Sequence, residues 1–140
     1  MTDQTPISKD TLEKTLLIDA PPDRVWAFLT KAEHLAKWFH AARDDLKPGD
    51  AYALLGDDGS ALCTGEVLEA REPEHLKMTF TARPMNGLMT VVTFSLTPVG
   101  RGTRLHLRHE GLSTAGDAIG LAIAFDTGWD KHFVRLRETI

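Results

Sequence analysis

The chain has 140 residues, 42% of them hydrophobic, and its 16 basic and 20 acidic side chains give a formal net charge of -4. That length suits one domain with one sizeable core, and the acid excess speaks against a nucleic-acid partner, which calls for a basic patch. The single cysteine, Cys63, excludes an intrachain disulfide and a thiolate metal cluster, and no stretch reaches the roughly 20 apolar residues of a membrane-spanning helix. The N-terminus is polar and lacks the basic-then-apolar order of a secretion signal, so a cytoplasmic location is the expectation.

Met1 to Lys9 read as a flexible tail, and residues 10–140 as a single domain. Thr11 to Ile18 predicts a strand, with Leu12, Leu16 and Ile18 on the inward side and Lys14 interrupting them. Pro21 and Pro22 end it and open a helix, with Asp19 as the expected cap and Asp23 in the first turn. Val25, Trp26 and Leu29 recur at helical spacing, and a second short helical piece, Ala32 to Phe39, carries Leu35, Trp38 and Phe39.

From Ala42 the period changes to two. Pro48-Gly49-Asp50 predicts a turn, Ala51 to Leu55 a short strand, Gly56-Asp57-Asp58-Gly59 a hairpin turn, and Ala61 to Ala70 the next strand. After the Glu72-Pro73-Glu74 turn, His75 to Ala82 alternates cleanly: Leu76, Met78, Phe80 and Ala82 oppose Lys77, Thr79 and Thr81. Pro84 to Gly87 turns the chain into a strand from Leu88 to Leu96, with Val92, Phe94 and Leu96 inward. Pro98 to Gly102 turns it again into Thr103 to His109, where Leu105 and Leu107 oppose Arg104, His106 and Arg108. Short turns join these strands, so they predict an antiparallel meander, with the first strand closing against the last.

Ser113 to Ile140 carries one long helical pattern. Ala122, Phe125, Trp129, Phe133, Leu136 and Ile140 recur at steps of three and four and share a face. Thr114 followed by Asp117 reads as its N-terminal cap, and Gly116, Gly120 and Gly128 weaken it locally. Such a stripe needs a broad apolar surface, which the sheet supplies, so the class is α+β. A twisted sheet wrapped around a helix leaves a concavity in which pockets form.

Ala20-Pro21-Pro22, Val25-Trp26 and Trp38-Phe39 resemble the opening of the helix-grip domains of the START/Bet v 1-like (SRPBCC) superfamily. Within it the chain looks most like the branch named after the activator of the Hsp90 ATPase, the AHSA1-like domain. Gly65-Glu66-Val67, the Pro73 turn and Leu76 to Phe80 fit the middle; Glu110-Gly111-Leu112, Gly128-Trp129, His132-Phe133 and Leu136 fit the end. The likeness implies a helix-grip fold: a curved antiparallel sheet of six or seven strands around a long C-terminal helix, two short helices after the first strand, and a cavity between sheet and helix. Members of the superfamily bind lipids, hormones and polyketides, and some act as cyclases or hydrolases. The resemblance implies no single activity.

His109 continues the Leu105 and Leu107 phase and is expected to face the cavity, where an imidazole can move a proton or orient a ligand; the plainer alternative is a polar residue at the cavity mouth, bonded to a neighbour. His132, three residues after Trp129, borders the apolar stripe. Glu66 and Glu69 lie on opposite faces of one strand, so only one can point inward; a buried carboxylate would act as an acid, and surface placement is the alternative. These four are the catalytic candidates. His34 and His40, near Asp44 and Asp45, do not match a zinc spacing, and Cys63 has no CxxC partner. Ser60, Ser95 and Ser113 lie in no nucleophile elbow, and Gly56 to Gly59 lacks the lysine of a phosphate loop. No metal and no cofactor are expected.

The cavity wall is expected from Trp38, Phe39, Met78, Phe80, Met89, Phe94, His109, Phe125, Trp129 and Phe133. The leading reading is binding or sequestration of a small apolar or aromatic ligand. A chaperone-linked or other protein-interaction module, and an enzyme acting on a hydrophobic, polyketide-like compound, stay open as alternatives. Monomer and homodimer are both compatible with the sequence.

Overall fold

A computed structural model describes residues 11–112 and 117–140. The expected tail, the Thr114 cap and the Ser113 start of the long helix lie outside the described residues. The chain runs β1 (Thr11–Ile18), α1 (Pro22–Thr30), α2 (Ala32–Trp38), β2 (Ala41–Ala42), β3 (Ala51–Leu55), β4 (Ala61–Arg71), β5 (His75–Ala82), β6 (Thr90–Val99), β7 (Gly102–Glu110) and α3 (Ala118–Thr139). The strands form one antiparallel sheet in the order β1-β7-β6-β5-β4-β3-β2. Only the pairing of β1 with β7 departs from the meander, and it places the first strand beside the last.

The inward faces follow the alternation. Leu76, Met78 and Phe80 of β5, Val92, Phe94 and Leu96 of β6, and Leu105 and Leu107 of β7 are all buried, while Ile18 anchors β1 in the same layer. Trp38 closes the α1–α2 end of this core, and its indole donates to the Phe28 carbonyl at 2.7 Å. No described helix is long and apolar enough to cross a membrane.

Several expectations are corrected. Asp19 does not cap α1; Pro21 stands at the cap with no side-chain bond, and Asp19 instead pairs with Arg101 at 2.8 Å. Asp117 itself is the cap of α3, accepting from the Gly120 amide at 3.1 Å. Leu88 belongs to the turn, its amide bonded to the Met85 carbonyl, so β6 starts at Thr90. At its other end β6 runs through Pro98 to Val99. Proline is tolerated there because β5 pairs with β6 only as far as Ser95, so no ladder donor is needed on that side. The two-residue β2 escaped notice because it is too short to show a period.

In β4 the inward phase changes along the strand, from Gly65 and Val67 to Ala70. The register shifts between Val67 and Glu69, so one extra residue is absorbed and the strand changes phase. Cys63 and Val67 are buried, and Glu66 and Glu69 both face solvent.

The long helix is unequal along its length. Trp129, Phe133 and Leu136 are its buried residues, all in the second half. Ile119 and Ile123, in the first half, are 72% and 59% exposed. From its middle onward the helix is tied to β1: Arg137 donates twice to the Leu17 carbonyl, at 3.1 and 2.9 Å, and Lys14 pairs with both Asp126 and Asp130.

Candidate functional site

Where the first half of α3 stands away from the sheet, a pocket of about 270 Å³ opens beneath it. The helix contributes Leu121, Ala124, Phe125, Gly128, Trp129 and His132. These positions recur at steps of three and four, so one stripe of the helix faces the opening. The sheet contributes Leu62 and Cys63 from β4 and Phe80 and Ala82 from β5; Phe39 and His40 come from the segment between α2 and β2. Gly128 is where the helix leaves room. A Cβ built there meets nothing within 4 Å, so the missing side chain is itself part of the space.

One wall is a stack of rings. Phe39 lies on Trp129 with centroids 5.3 Å apart and planes at 26°, and Trp129 lies on Phe133 at 5.7 Å and 28°. Trp38 continues the stack against Phe133 at 6.2 Å and Phe39 at 5.1 Å. Phe80 and Phe125 meet edge to face at 5.9 Å on the other side. Offset and edge-on ring pairs of this kind are favourable beyond the area they bury, which fixes the wall before any ligand arrives.

His109 lies behind this wall and is fully buried. Its bonding defines its tautomer. The Trp129 indole donates to His109 Nδ1 at 3.2 Å, so that nitrogen carries a lone pair. The Thr90 hydroxyl donates to the Phe80 carbonyl at 2.7 Å, so His109 Nε2–H donates to Thr90 Oγ1 at 2.8 Å. The relay Trp129–His109–Thr90–Phe80 joins α3 to three strands with every atom satisfied. Burial pushes the imidazole down to about 4, so it is neutral at physiological pH. His109 is thus a core connector whose two ring nitrogens are both engaged by protein partners.

His132 is half-buried. Its Nδ1 lies 3.2 Å from the Trp38 carbonyl, which can only accept, so Nδ1 carries the hydrogen and Nε2 a lone pair. The His40 ring stands 5.1 Å away at 77°. Burial first, then the neighbouring His40 and Arg135, hold His132 down at about 4; burial and Arg135 also lower His40. Burial raises the Cys63 thiol to about 11, which leaves it protonated and weakly nucleophilic. His34 is elsewhere, stacked on Phe28 at 4.3 Å.

Phe39, Phe80, Phe125 and Trp129, of the expected wall, line this pocket. Trp38, Met78 and Phe94 instead border a residual void of about 10 Å³, at the lower limit for a single water, so they are packed core. Phe133 is buried in the ring stack. Met89 is 51% exposed and lines a different, larger groove of about 430 Å³ with Arg43, Asp44, Glu66 and Thr79. That groove is charged and includes the outward-facing side of the sheet. Glu66 and Glu69 do not meet His109 or His132. Sequence reasoning passed over Gly128, Leu121 and His40. The signal for the first two was the continuation of the Phe125–Trp129 stripe; His40 was weighed only as a metal ligand. Among the described residues no group of three or more metal-ligating side chains converges.

A curved antiparallel sheet closed around a C-terminal helix, over an aromatic pocket, defines a helix-grip protein. The chain belongs to the activator of Hsp90 ATPase homolog 1-like family, whose model matches residues 19–140. Among solved structures it is similar to protein MLL2253 of Mesorhizobium loti, with 27% identity, a TM-score of 0.79, and 91% of this chain and 94% of that one covered. It is similar to CalU16 of Micromonospora echinospora, with 25% identity, a TM-score of 0.75, and 90% and 73% covered. PFC0360w of Plasmodium falciparum, described as an HSP90 activator, is 26% identical with a TM-score of 0.63 over 73% of each chain. No curated protein matches the chain.

Proposed function

We propose that the protein binds a small, flat, apolar ligand in the pocket under α3. The observation that carries this reading is the coincidence of rigid stacked rings with open space at Gly128. The volume, about 270 Å³, sits just below the roughly 300–1,000 Å³ usual for ligand sites and suits a few fused rings better than a long lipid. Affinity comes from burial of apolar surface, at roughly 25 cal/mol per Å² before the costs of association.

The test is a fluorescence titration with 1-aminoanthracene, a neutral polycyclic probe, on the wild type and on Gly128→Leu. The leucine side chain fills the space that the glycine leaves. Saturable binding that weakens at least about tenfold in the variant supports the reading. Equal binding by both proteins, or none by the wild type, refutes it.

A second reading is protein interaction, favoured by the exposed Ile119 and Ile123 on α3 and by the likeness to the Plasmodium activator. Stimulation of an Hsp90 ATPase by the purified protein, lost on Ile119→Asp with Ile123→Asp, would support it; no stimulation removes it.

A further inference from the structure

The pocket is apolar except at one corner, and one atom of that corner, His132 Nε2, has a definite hydrogen-bonding sense. Of its described lining residues only His40, Cys63, Trp129 and His132 carry a polar side-chain atom. The Trp129 N–H is already given to His109, and the Cys63 thiol is a weak, protonated group. His132 Nδ1–H is given to the Trp38 carbonyl. His132 Nε2 has no partner among the described residues, and it is not a sealed, buried atom. It is a lone pair beside a wall of stacked rings.

Building on the pocket reading above, we propose that the ligand is an aromatic molecule bearing a neutral hydroxyl group, whose O–H donates to His132 Nε2 while its rings lie against Phe39 and Trp129. A bare imidazole nitrogen accepts and cannot donate, so the ligand must bring the hydrogen. A carboxylate brings none and would set its lone pairs against this one. A hydrocarbon or an ether would bury Nε2 without a partner, which removes part of the gain from ring burial. A phenolic O–H is a strong neutral donor and lies in the plane of the ring that carries it. His40, with its ring 5.1 Å from His132, closes the same corner and adds a second neutral imidazole. Burial first, and then the charge of Arg135, opposes protonation of both rings, which preserves the accepting nitrogen near neutral pH.

Two probes of nearly equal shape separate this proposal from simple ring burial. 2-Naphthol carries the donor; 2-methoxynaphthalene has the same rings with the donor methylated. In a purely apolar pocket the ether, being less polar, binds more tightly. The proposal predicts the opposite order in the wild type near neutral pH, with 2-naphthol tighter by about fivefold, the effect of one net hydrogen bond. In His132→Phe the order reverses. Nitrogen NMR of the wild type reads the same bond without a variant: the His132 Nε2 resonance moves on adding 2-naphthol and stays in place with the ether. An ether that binds as well as the naphthol, or a naphthol complex with no change at Nε2, overturns the hydroxyl assignment and leaves ring binding intact. If neither naphthalene nor 1-aminoanthracene binds, this proposal and the pocket reading fall together.

Discussion

Replacing Gly128 by alanine tests the shape of the pocket through stability alone. Glycine in a helix interior costs roughly 0.5–1 kcal/mol relative to alanine, because the unfolded chain is freer at glycine. At Gly128 the added methyl meets nothing within 4 Å, so no packing cost offsets that gain. Gly128→Ala is therefore expected to stabilise the protein by about 0.5–1 kcal/mol, or to raise the melting temperature by roughly 2–4 °C at this chain length. Gly120 is the control in the same helix. There a Cβ would run into the Asp117 carboxylate, which caps α3 by accepting from the Gly120 amide. Losing a cap costs about 0.5–2 kcal/mol, so Gly120→Ala is expected to be neutral or destabilising. Urea denaturation of both variants at one pH measures the difference. If Gly128→Ala is destabilising, the space beneath Gly128 is not as described; if Gly120→Ala stabilises as much, the Asp117 cap is not.

Acid is expected to weaken the fold through His109. Its folded pKa, about 4, lies below the ordinary value of 6.5, so the unfolded state binds the extra proton first. Stability is fully present above about pH 6.5 and falls as the pH drops towards 4, by up to about 3 kcal/mol from this residue. Urea midpoints across that range, beside the His109 resonances, check this; a His109 that titrates near 6.5 refutes it. Thr90→Val keeps the shape but strands His109 Nε2–H in the core, and is expected to cost about 1–3 kcal/mol. A loss below about 0.5 kcal/mol in urea denaturation would show that the relay is not formed.

The strands were legible where local rules and the fold agree. His75–Ala82 alternates without interruption and sits between turn residues, and its bounds follow from that alone. The extent of β4 was legible and its inward face was not, because the phase changes at Leu68 and no single period survives an extra residue. The end of β6 depended on how far its neighbour β5 reaches, which is a property of the sheet and not of Pro98. The same division holds at the site. Phe125 and Trp129 announce a helical stripe by their spacing, and the sequence puts an aromatic face against the sheet. Whether that face touches the sheet or stands off depends on bulk at every position along the stripe. Gly128 is defined by a missing side chain, and a missing side chain carries no hydrophobic signal. The accepting character of His132 was hidden for a different reason. It rests on the Trp38 carbonyl, 94 residues away in the chain.

The ties between α3 and β1 bear on how copies of this chain meet. β1 is one edge of the sheet, and an edge strand with free carbonyls and amides is a template for another strand. Arg137 takes up the Leu17 carbonyl there, and Lys14 is held by Asp126 and Asp130 above it. The opposite edge, β2, is two residues long and offers almost no ladder to extend. Among the described residues, strand addition thus finds one β1 carbonyl already taken by the helix and, at the other end, a strand only two residues long. A contact between copies that used either edge would therefore find fewer backbone groups to pair with than a long bare strand offers.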